Sequence, residues 1–243
     1  MNFINGLGGL KDQLKTLRRL IYSKAYHASG QANADQETID RFHRLYYDSA
    51  VMGLTWNDTK WMGTPVLKYT GDLWLYQEIL YDLKPDLVIE TGTAAGGSAA
   101  YMASLMDLIG KGKIVSIDIE ARADRPRHPR ITYITGSSTA PEIVNRVREL
   151  ARGVPAVMVI LDSDHSAAHV SEELQRYKEF VTRGSYVVVE DSNINGHPVA
   201  PESGPGPMEA IDDFLKNEKE FTFDETKKKF LLSFNPRGYL KRK

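Results

Sequence analysis

Acidic side chains follow two of the most apolar segments of the sequence, at the point where each segment ends. AVMVILD (156–162) ends in Asp162, and SYVVVED (185–191) ends in Glu190 and Asp191. Such runs are typical of strands buried on both faces of a parallel sheet, and neighbouring strands of that kind bring their carboxyl ends to one edge. Three carboxylates in one cleft repel each other unless a cation neutralises them, and oxygen ligands favour a hard cation. The pattern therefore predicts a site for Mg²⁺ or another divalent hard cation, the alternative being three solvated strand ends.

A histidine lies close to the first of these carboxylates. His165 is three residues beyond Asp162. An imidazole titrates near neutrality and can accept the proton of a reacting hydroxyl, which becomes more acidic on a divalent cation. The spacing therefore predicts His165 and Asp162 as catalytic residues. A histidine that only orients the loop at a helix N-terminus is the alternative, and His169, one turn further, is interpreted as part of a solvated helix face.

A glycine-rich segment follows an earlier apolar run. It reads ETGTAAGGS (90–98), and glycines at such a point let the backbone pass close to a ligand and into a helix N-terminus. Ala94 stands where a dinucleotide fingerprint has its second glycine, and the Gly-Lys-Ser/Thr of a P-loop is missing. The spacing favours a nucleoside without a pyrophosphate, although an ordinary tight turn has similar glycines. The predicted cofactor contacts in this segment are Glu90, Gly92, Thr93, Ala94, Gly96 and Ser98.

Two further strand ends could complete a nucleoside site. Asp118 ends KIVSID, and a carboxylate there can accept both hydroxyls of a ribose, with a turn-capping Asp as the alternative. Ser137 and Ser138 follow the next apolar run and can offer hydroxyls to an adenine, although a helix N-cap at Ser138 or Thr139 explains them equally well. Asp162 lies at the same edge and is also predicted to contact the cofactor.

The elements that must position these residues alternate along the chain from about residue 70. Strand-like segments are short, apolar and rich in β-branched residues, and helical candidates lie between them. The strand candidates are 86–90, 113–118, 130–135, 156–162 and 185–191, and the helix candidates are 71–83, 97–110, 141–152, 166–182 and 206–218. This alternation predicts a doubly wound, Rossmann-like α/β fold. FTFDE (221–225) and KFLLSF (229–234) predict an antiparallel hairpin that closes a mostly parallel sheet of seven strands.

The first part of the chain has a mixed composition. We predict an N-terminal helical extension over 1–69, which carries substrate-side and oligomerisation surfaces, and a catalytic domain over 70–243. The extension opens with an amphipathic helix whose apolar side contains Leu10, Leu14, Leu17 and Ile21, followed by a polar break at 29–36 and a second helical stretch. We expect the first helix to pack on the body or on a second subunit, with membrane-surface attachment as the alternative. The apolar content of residues 1–50 predicts a homo-oligomer but does not indicate the number of subunits.

The composition excludes several classes of protein. The 243 residues contain no cysteine, so disulfides, thiolate metal sites and cysteine nucleophiles are excluded. A formal net charge of −1 gives no basic footprint for nucleic acid. No apolar run approaches the roughly 20 residues that cross a bilayer, and residues 1–22 lack the apolar core of a secretory signal. We expect a cytoplasmic protein with a small-molecule hydroxylated substrate, no nucleic-acid partner and no integral membrane association.

Several segments together resemble a known family. They extend from about Thr55 to the C-terminus and include TWNDTKWMGTPVLKY, VIETGTAAGGSA, VSIDIE, VILDSDHS, VEDSNINGHP and FNPRGYL. They are similar to the family often named cephalosporin hydroxylases, whose members include rhamnosyl O-methyltransferases. The resemblance implies a class I methyltransferase fold that uses S-adenosylmethionine (SAM). The spacing of the histidines gives no 2-His-1-carboxylate iron site, which a hydroxylase of that type would need.

The residues at the strand ends are also similar to those of Mg²⁺-dependent catechol O-methyltransferases. In that family an Asp and an adjacent Asp-Asn pair hold the metal, and the matching positions here are Asp162 and the pair Glu190-Asp191. The resemblance therefore implies that these three residues are metal ligands and that SAM lies over 92–98. The catechol enzymes have a lysine base where this chain has His165, a departure that leaves the choice of base open.

The combined prediction is a Mg²⁺-dependent transfer of a methyl group from SAM to a hydroxyl of a sugar or another natural-product diol. Trp56–Tyr69, which includes Trp61 and Lys68, and the loop Asn193–Gly206 are expected to shape the acceptor pocket, with core packing of the aromatic rings as the alternative. A nicotinamide-dependent oxidoreductase and a catalytically silent SAM-fold scaffold are the alternative functions. Ala94, in place of the second glycine, is evidence against the oxidoreductase. The acidic cluster with its nearby base is evidence against both the oxidoreductase and the silent scaffold.

Overall fold

The structure, a computed structural model, describes residues 14, 17, 18, 20–26 and 28–243. The chain divides into two compact units, residues 1–43 and 44–243, and each is described by itself. The predicted boundary between an extension at 1–69 and a catalytic domain at 70–243 stays a prediction.

The described part of the first unit is helical. Helical residues occur between Leu14 and Ala28, and helix α1 spans Gln31–Asp48. The predicted polar break at 29–36 is wrong in extent, because the left-handed backbone of Gly30 (φ +75°) is followed directly by α1. Leu14, Leu17 and Ile21 of the predicted amphipathic helix are exposed, and Leu10 lies outside the described residues.

The second unit alternates strands and helices as predicted. Its strands are β1 (Lys60–Trp61), β2 (Thr64–Pro65), β3 (Leu87–Thr91), β4 (Lys113–Asp118), β5 (Ile131–Thr135), β6 (Val157–Leu161), β7 (Tyr186–Val189), β8 (Phe221–Phe223) and β9 (Tyr239–Arg242). Its helices are α2 (Thr70–Leu83), α3 (Gly97–Ile109), α4 (Pro141–Ala151), α5 (Ala167–Tyr177) and α6 (Pro207–Asn217), with short 3₁₀ turns at Ser49–Met52, Trp56–Asp58, Pro201–Ser203 and Glu225–Lys228. Helix α5 ends before the predicted residue 182 because the turn after Tyr177 buries Phe180 and Val181.

None of the helices among the described residues combines the length and apolar character that crossing a membrane requires.

Seven strands form one sheet in the order β5-β4-β3-β6-β7-β9-β8. Strands β3 to β7 run parallel to their neighbours, and β9 is antiparallel to both β7 and β8. The chain winds outward from β3 to β5 and then returns to β6, so the strand order reverses between β3 and β6. Ligands of doubly wound proteins bind outside the carboxyl ends of the strands at that point. The predicted fold class is confirmed.

Helices cover both faces of the sheet because successive strand residues point to opposite sides. On β6, Val157, Val159 and Leu161 pack in the cluster formed with α4, α5 and α6. Met158 and Ile160 pack in the other cluster, formed with α2 and α3. Both sets are almost fully buried, which fixes the direction in which β6 delivers the residues at its carboxyl end.

The predicted closing hairpin is correct in its first strand and wrong in its second. FTFDE supplies β8, but the antiparallel strand is Tyr239–Arg242 and not KFLLSF. The apolar residues of 229–234 serve a tertiary contact instead, because the backbone N–H of Phe234 donates to Asp72 and its ring packs among other aromatic rings.

Candidate active site

The carboxyl ends of β6 and β7 place the acidic residues side by side. Leu161, the last residue of β6, pairs in register with Val189, the last residue of β7. The N–H of Glu190 continues this pairing by donating to the carbonyl of Leu161 at 3.0 Å. Asp162 and the pair Glu190-Asp191 therefore lie at one edge of the sheet, as the order of the strands requires.

Asp162, His165 and Asp191 form a compact, half-buried group of potential metal ligands. One ligand atom from each residue lies within 4.8 Å of the others, and Nε2 of His165 is 3.2 Å from Oδ2 of Asp191. Asp191 has a left-handed backbone (φ +53°), and its N–H donates to Oδ1 of Asn235 at 3.0 Å. A non-glycine residue in this conformation is uncommon and costs free energy, so the surrounding structure fixes where this carboxylate points.

Negative charge is concentrated in this group. Burial raises the pKa of the Asp191 carboxyl to about 7, while the charge of His165 lowers it and the carboxylates of Asp162 and Glu190 raise it further. The two carboxylates of Asp162 and Asp191 at this spacing suit a divalent hard cation, which would neutralise that charge.

A buried lysine pairs with two of the carboxylates. Lys68 is 4% exposed, and its Nζ lies 2.7 Å from Oδ2 of Asp162 and 2.9 Å from Oε1 of Glu190. The hydroxyl of Tyr76 donates to the same oxygen of Glu190. Burial disfavours the charged form of Lys68, but Asp162 and Glu190 outweigh that effect and raise its pKa. Lys68 is therefore an ammonium, and it holds Glu190 in the buried part of the site.

The structure places Lys68 and Glu190 deeper in the protein than the sequence predicts. A lysine exposed to a sugar is expected at position 68, whereas the structure turns its ammonium inward to the carboxylates. Glu190, at 3% exposure, is more deeply buried than Asp162. The metal-ligand roles of Asp162, Glu190 and Asp191, like the catalytic role of His165, stay predictions.

The glycine-rich segment joins β3 to α3 through a backbone that approaches its neighbours closely. Gly92 has φ +81°, and a Cβ there would lie 1.7 Å from the carbonyl oxygen of Asp162. A Cβ at Gly97 would lie 2.0 Å from the carbonyl oxygen of Pro65. Ala94 also has a left-handed backbone, with φ +45°. The fold therefore requires glycine at positions 92 and 97, and Gly92 brings this loop against the backbone of Asp162.

Glu90 supports the loop from inside the protein. It is fully buried, and its two oxygens accept hydrogen bonds from Ser98 at 2.5 Å and Ser116 at 2.6 Å. The hydroxyl of Thr93 lies 2.7 Å from that of Ser116. Burial raises the pKa of Glu90, although Lys68 and the two serines act in the opposite direction. Direct contacts of Glu90, Thr93 and Ser98 with a cofactor stay predictions.

Asp118, at the end of β4, holds the outer side of the same loop. Its Oδ2 accepts hydrogen bonds from the N–H groups of Thr93 at 3.0 Å and Ala94 at 2.8 Å. Arg125 pairs with the same oxygen at 2.9 Å and donates to the carbonyl of Ala94 at 2.9 Å. Arg125 lies in the loop after β4, where no local pattern marks it as part of a site. The predicted ribose contact of Asp118 and the predicted contacts at 92–96 stay predictions.

Ser137 and Ser138 lie between β5 and α4. Ala140 is the N-cap of α4, so the alternative in which Ser138 or Thr139 caps this helix is wrong. The Ser138 carbonyl accepts a hydrogen bond from the buried hydroxyl of Tyr177 at 2.7 Å. The two serines thus have a fixed backbone, and their predicted contact with an adenine stays a prediction.

A second polar network joins these serines to helix α5. Nε2 of His169 lies 3.2 Å from Oγ of Ser138 and 3.1 Å from Oγ of Ser163. Glu173, which is fully buried, accepts a hydrogen bond from Ser163 at 2.8 Å and lies 3.6 Å from Nε2 of His169. The Glu173 carboxylate raises the pKa of His169, although burial acts against it. The interpretation of His169 as a solvated residue is therefore wrong, because this face of α5 packs toward the strand ends.

The aromatic residues of 56–69 pack against the protein in two places. Nε1 of Trp61 donates to Ser104 of α3 at 3.1 Å, and its ring meets Tyr101 edge-on at 4.9 Å. Trp56 and Tyr69 instead contact Phe234, with ring centroids 5.8 Å away in each case. Core packing, the alternative to pocket lining, thus describes Trp61.

The rings around Phe234 adjoin the acidic site. Tyr47 stacks on Trp56 with centroids 5.4 Å apart. Burial raises the pKa of Tyr47, and the negative charge of Asp191 adds to the increase. The side chain of Asn235, the residue after Phe234, accepts a hydrogen bond from the N–H of Asp191. Tyr47, Trp56, Tyr69 and Phe234, here named the ring cluster, therefore adjoin the segment that carries Asp191 through Phe234.

The loop Asn193–Gly206 is held in place at its first residue and near its middle. The N–H of Asn193 donates to the carbonyl of Phe234 at 3.1 Å, and Asn193 and Val199 are buried. Nε2 of His197 lies 2.7 Å from Oε1 of Glu209 on helix α6. The use of this loop as a lid over the site stays a prediction.

The fold and the site together are those of the class I methyltransferases. The sheet is doubly wound and ends in antiparallel strands, a glycine loop follows β3, and carboxylates follow β6 and β7. The family model of "Rhamnosyl O-methyltransferase/CmcI" matches residues 54–243. The chain belongs to the Rhamnosyl O-methyltransferase/CmcI family. The predicted family and the predicted class of enzyme, a SAM-dependent O-methyltransferase, are confirmed.

Two curated relatives carry the name Rhamnosyl O-methyltransferase. That of Mycobacterium leprae (strain TN) is 44% identical over 213 residues, which cover 84% of this chain and 90% of the relative. That of Mycobacterium bovis (strain BCG / Pasteur 1173P2) is 40% identical over 244 residues, which cover 95% of each chain. Both alignments extend through most of the chain.

Solved structures of CmcI have the same fold. The structure described as "cmcI-D160 Mg-SAM" aligns with a TM-score of 0.61 at 20% identity and covers 77% of each chain. The structure described as "CmcI-N160 apo-structure" aligns with a TM-score of 0.58 at 21% identity and covers 76% of each chain. At these identities the likeness confirms the arrangement of strands and helices.

Proposed function

We propose that this protein transfers a methyl group from SAM to a hydroxyl of a sugar, with Mg²⁺ or another divalent hard cation at the carboxylates. The observation that carries the proposal is the contact between Gly92 and Asp162. The glycine loop approaches the Asp162 carbonyl so closely that no side chain fits between them. A nucleoside held by residues 92–98 and a cation held by Asp162 and Asp191 would therefore be immediate neighbours.

The relatives support this assignment. The proteins named Rhamnosyl O-methyltransferase act, by that name, on a rhamnosyl hydroxyl, and the description of the CmcI structure includes Mg and SAM. The donor set of this chain fits such a cation, because the carboxylates of Asp162 and Asp191 each place an oxygen within 4.8 Å of the other. Glu190 is proposed as a further ligand from the resemblance to catechol O-methyltransferases.

The residues of the site have distinct proposed roles. When bound, the cation orients and acidifies an acceptor hydroxyl, and SAM supplies the methyl group. His165 accepts the hydroxyl proton at Nε2, and the carboxylate of Asp191, 3.2 Å away, stabilises the imidazolium. Asp118 and Glu90 hold the glycine loop in a fixed shape, so its orientation needs little reorganisation during the reaction.

The site also has a surface suited to a sugar. Aromatic rings offer an apolar face for the C–H groups of a sugar ring, and the carbonyl of Phe234 in the ring cluster accepts from the N–H of Asn193, two residues beyond Asp191. We propose that the acceptor binds between this cluster and the carboxylates. The cytoplasmic location and the homo-oligomer expected from the sequence stay predictions.

Calorimetric titration with SAM, in Mg²⁺ and then in EDTA, tests cofactor binding, and mass spectrometry of a rhamnoside acceptor tests methyl transfer. We expect micromolar binding of SAM and a mass increase of one methyl group that requires the cation. Asp191→Asn should bind SAM and lose methyl transfer. The exposed Asp213→Asn, which removes a carboxylate paired only with Lys216 on the surface of α6, should change neither.

Matched injections of NADH distinguish the alternative functions. Heat from NADH without heat from SAM would support the nicotinamide-dependent oxidoreductase. SAM binding without transfer to any tested glycoside or polyphenol would support the catalytically silent scaffold.

A further inference from the structure

The buried ammonium of Lys68 occupies the position where a cation would be expected. It bridges Asp162 and Glu190 at 2.7 and 2.9 Å and lies 5.9 Å from the centre of the Tyr76 ring. A lysine that is 4% exposed persists inside a protein only when carboxylates compensate its lost hydration. Conversely, Glu190 is 3% exposed, and its Oε1 accepts from both Lys68 and Tyr76.

The Lys68 ammonium offsets part of the negative charge of the site through these contacts. Asp162, Glu190 and Asp191 contribute three acidic groups, and the charge nearest to two of them is the Lys68 ammonium. Without it, two carboxylates in the buried part of the site would face each other with no positive partner between them. A divalent cation bound by Asp162 would meet the same carboxylate that Lys68 already neutralises.

We propose that Lys68 is an internal counterion that competes with the divalent cation for Asp162 and Glu190. It is a positioning residue, because it holds the two carboxylates in place when the cation is absent and lowers the affinity for the cation when it arrives. The inference rests on the cation site of the proposed function. The Lys68 ammonium and the divalent cation can therefore partly replace each other in stabilising the carboxylates of Asp162 and Glu190.

Mn²⁺ binding to the full chain, followed by electron paramagnetic resonance, tests the competition. Removing one positive charge within roughly 5 Å of a divalent ion should tighten Mn²⁺ binding by about fivefold or more, so Lys68→Met should bind Mn²⁺ more tightly than the wild type. Thermal unfolding provides a second readout. Lys68→Met should unfold at a lower temperature than the wild type in EDTA and should regain most of the difference in Mg²⁺.

Lys178→Met is the matched control. Lys178 pairs with Glu218 at 2.9 Å, and both side chains are partly buried outside the candidate site. This variant should lose some stability, but its Mn²⁺ affinity should equal that of the wild type and Mg²⁺ should not rescue it.

A double variant covers the case in which Lys68→Met does not fold. Lys68→Met with Glu190→Gln removes one charge of each sign, and its Mn²⁺ affinity should exceed that of Glu190→Gln alone. An unchanged or weaker Mn²⁺ affinity after loss of the ammonium would overturn the proposal. Failure of both Lys68 variants to fold in Mg²⁺ would overturn it as well, because the cation should replace the ammonium. A wild-type protein that binds no Mn²⁺ would instead refute the cation site of the proposed function.

Discussion

Nε2 of His165 lies 3.2 Å from Oδ2 of Asp191 at the carboxyl ends of two neighbouring parallel strands. In this position the imidazole can accept the proton of an acceptor hydroxyl, and the Asp191 carboxylate can stabilise the imidazolium that forms. We predict that His165→Gln lowers kcat for methyl transfer by about 10²- to 10⁴-fold, because glutamine keeps a polar group but cannot accept the proton. Steady-state kinetics measures this change, and titration of SAM should show unchanged affinity.

His197→Gln is the control for this variant. His197 also pairs with a carboxylate, Glu209, and is exposed to a similar degree, but it lies on the loop before α6. It should retain nearly the wild-type kcat. If His165→Gln loses affinity for the cation as well as activity, His165 is a metal ligand and its role as the base is wrong.

Tyr76 stabilises the site through the hydrogen bond from its hydroxyl to the buried carboxylate of Glu190. A hydrogen bond to a charged group contributes about 1.5–3 kcal/mol, against about 0.5–1.5 kcal/mol for one between neutral groups. We therefore predict that Tyr76→Phe lowers the free energy of unfolding by about 2 kcal/mol. Urea denaturation should show a smaller loss for Tyr101→Phe, which removes a bond to the carbonyl of Leu73 at 2.5 Å. Equal losses for the two variants would show that the Glu190 charge is already satisfied by Lys68.

The strands and their terminal carboxylates could be predicted because their signals are local. Runs such as 156–161 are apolar at every position, which in a chain of this composition indicates a strand covered on both faces. Asp162 and Glu190 directly follow strands β6 and β7, and Asp191 is the next residue after Glu190. Parallel pairing of β6 and β7 brings those ends together without further information.

The remaining parts of the site depend on contacts between distant residues. Lys68 pairs with Asp162, 94 residues away, and nothing in its own segment distinguishes it from a surface lysine. Likewise, the apolar pattern of 229–234 has the local character of a strand. Its residues are used instead to place Phe234 in the ring cluster, and that use depends on Asp72 and on aromatic residues far away in the sequence.

Gly92 provides a test of the contact between the glycine loop and the acidic site. Alanine there would have its Cβ 1.7 Å from the carbonyl oxygen of Asp162, in a backbone with φ +81°. The left-handed backbone alone costs about 1–2 kcal/mol for a residue with a Cβ, and the overlap with a backbone atom adds about 1–3 kcal/mol. We predict that Gly92→Ala loses about 3 kcal/mol of stability and displaces Asp162.

Gly153→Ala separates the two costs of the Gly92 substitution. Gly153 also has a left-handed backbone, φ +71°, but a Cβ there would have no atom within 4 Å. Chemical denaturation should therefore show a loss of about 1 kcal/mol for this control. A similar loss for Gly92→Ala would mean that the loop can move away from Asp162 at little cost.

The network around His169 predicts a dependence of stability on pH. Glu173 raises the pKa of His169 above its usual value, so the folded state favours the protonated imidazole. The resulting stabilisation is fully present below the pKa of the unfolded state, about 6.5, and is lost as the pH rises through the higher pKa of the folded state. The difference in unfolding free energy between the wild type and His169→Gln should therefore narrow as the pH rises above about 6.5. Glu173→Gln keeps the acceptor for Ser163 but removes the charge, so in that background the His169→Gln difference should no longer vary with pH. A difference that widens as the pH rises would show that His169 is neutral in the folded protein and acts only through its hydrogen bonds to Ser138 and Ser163.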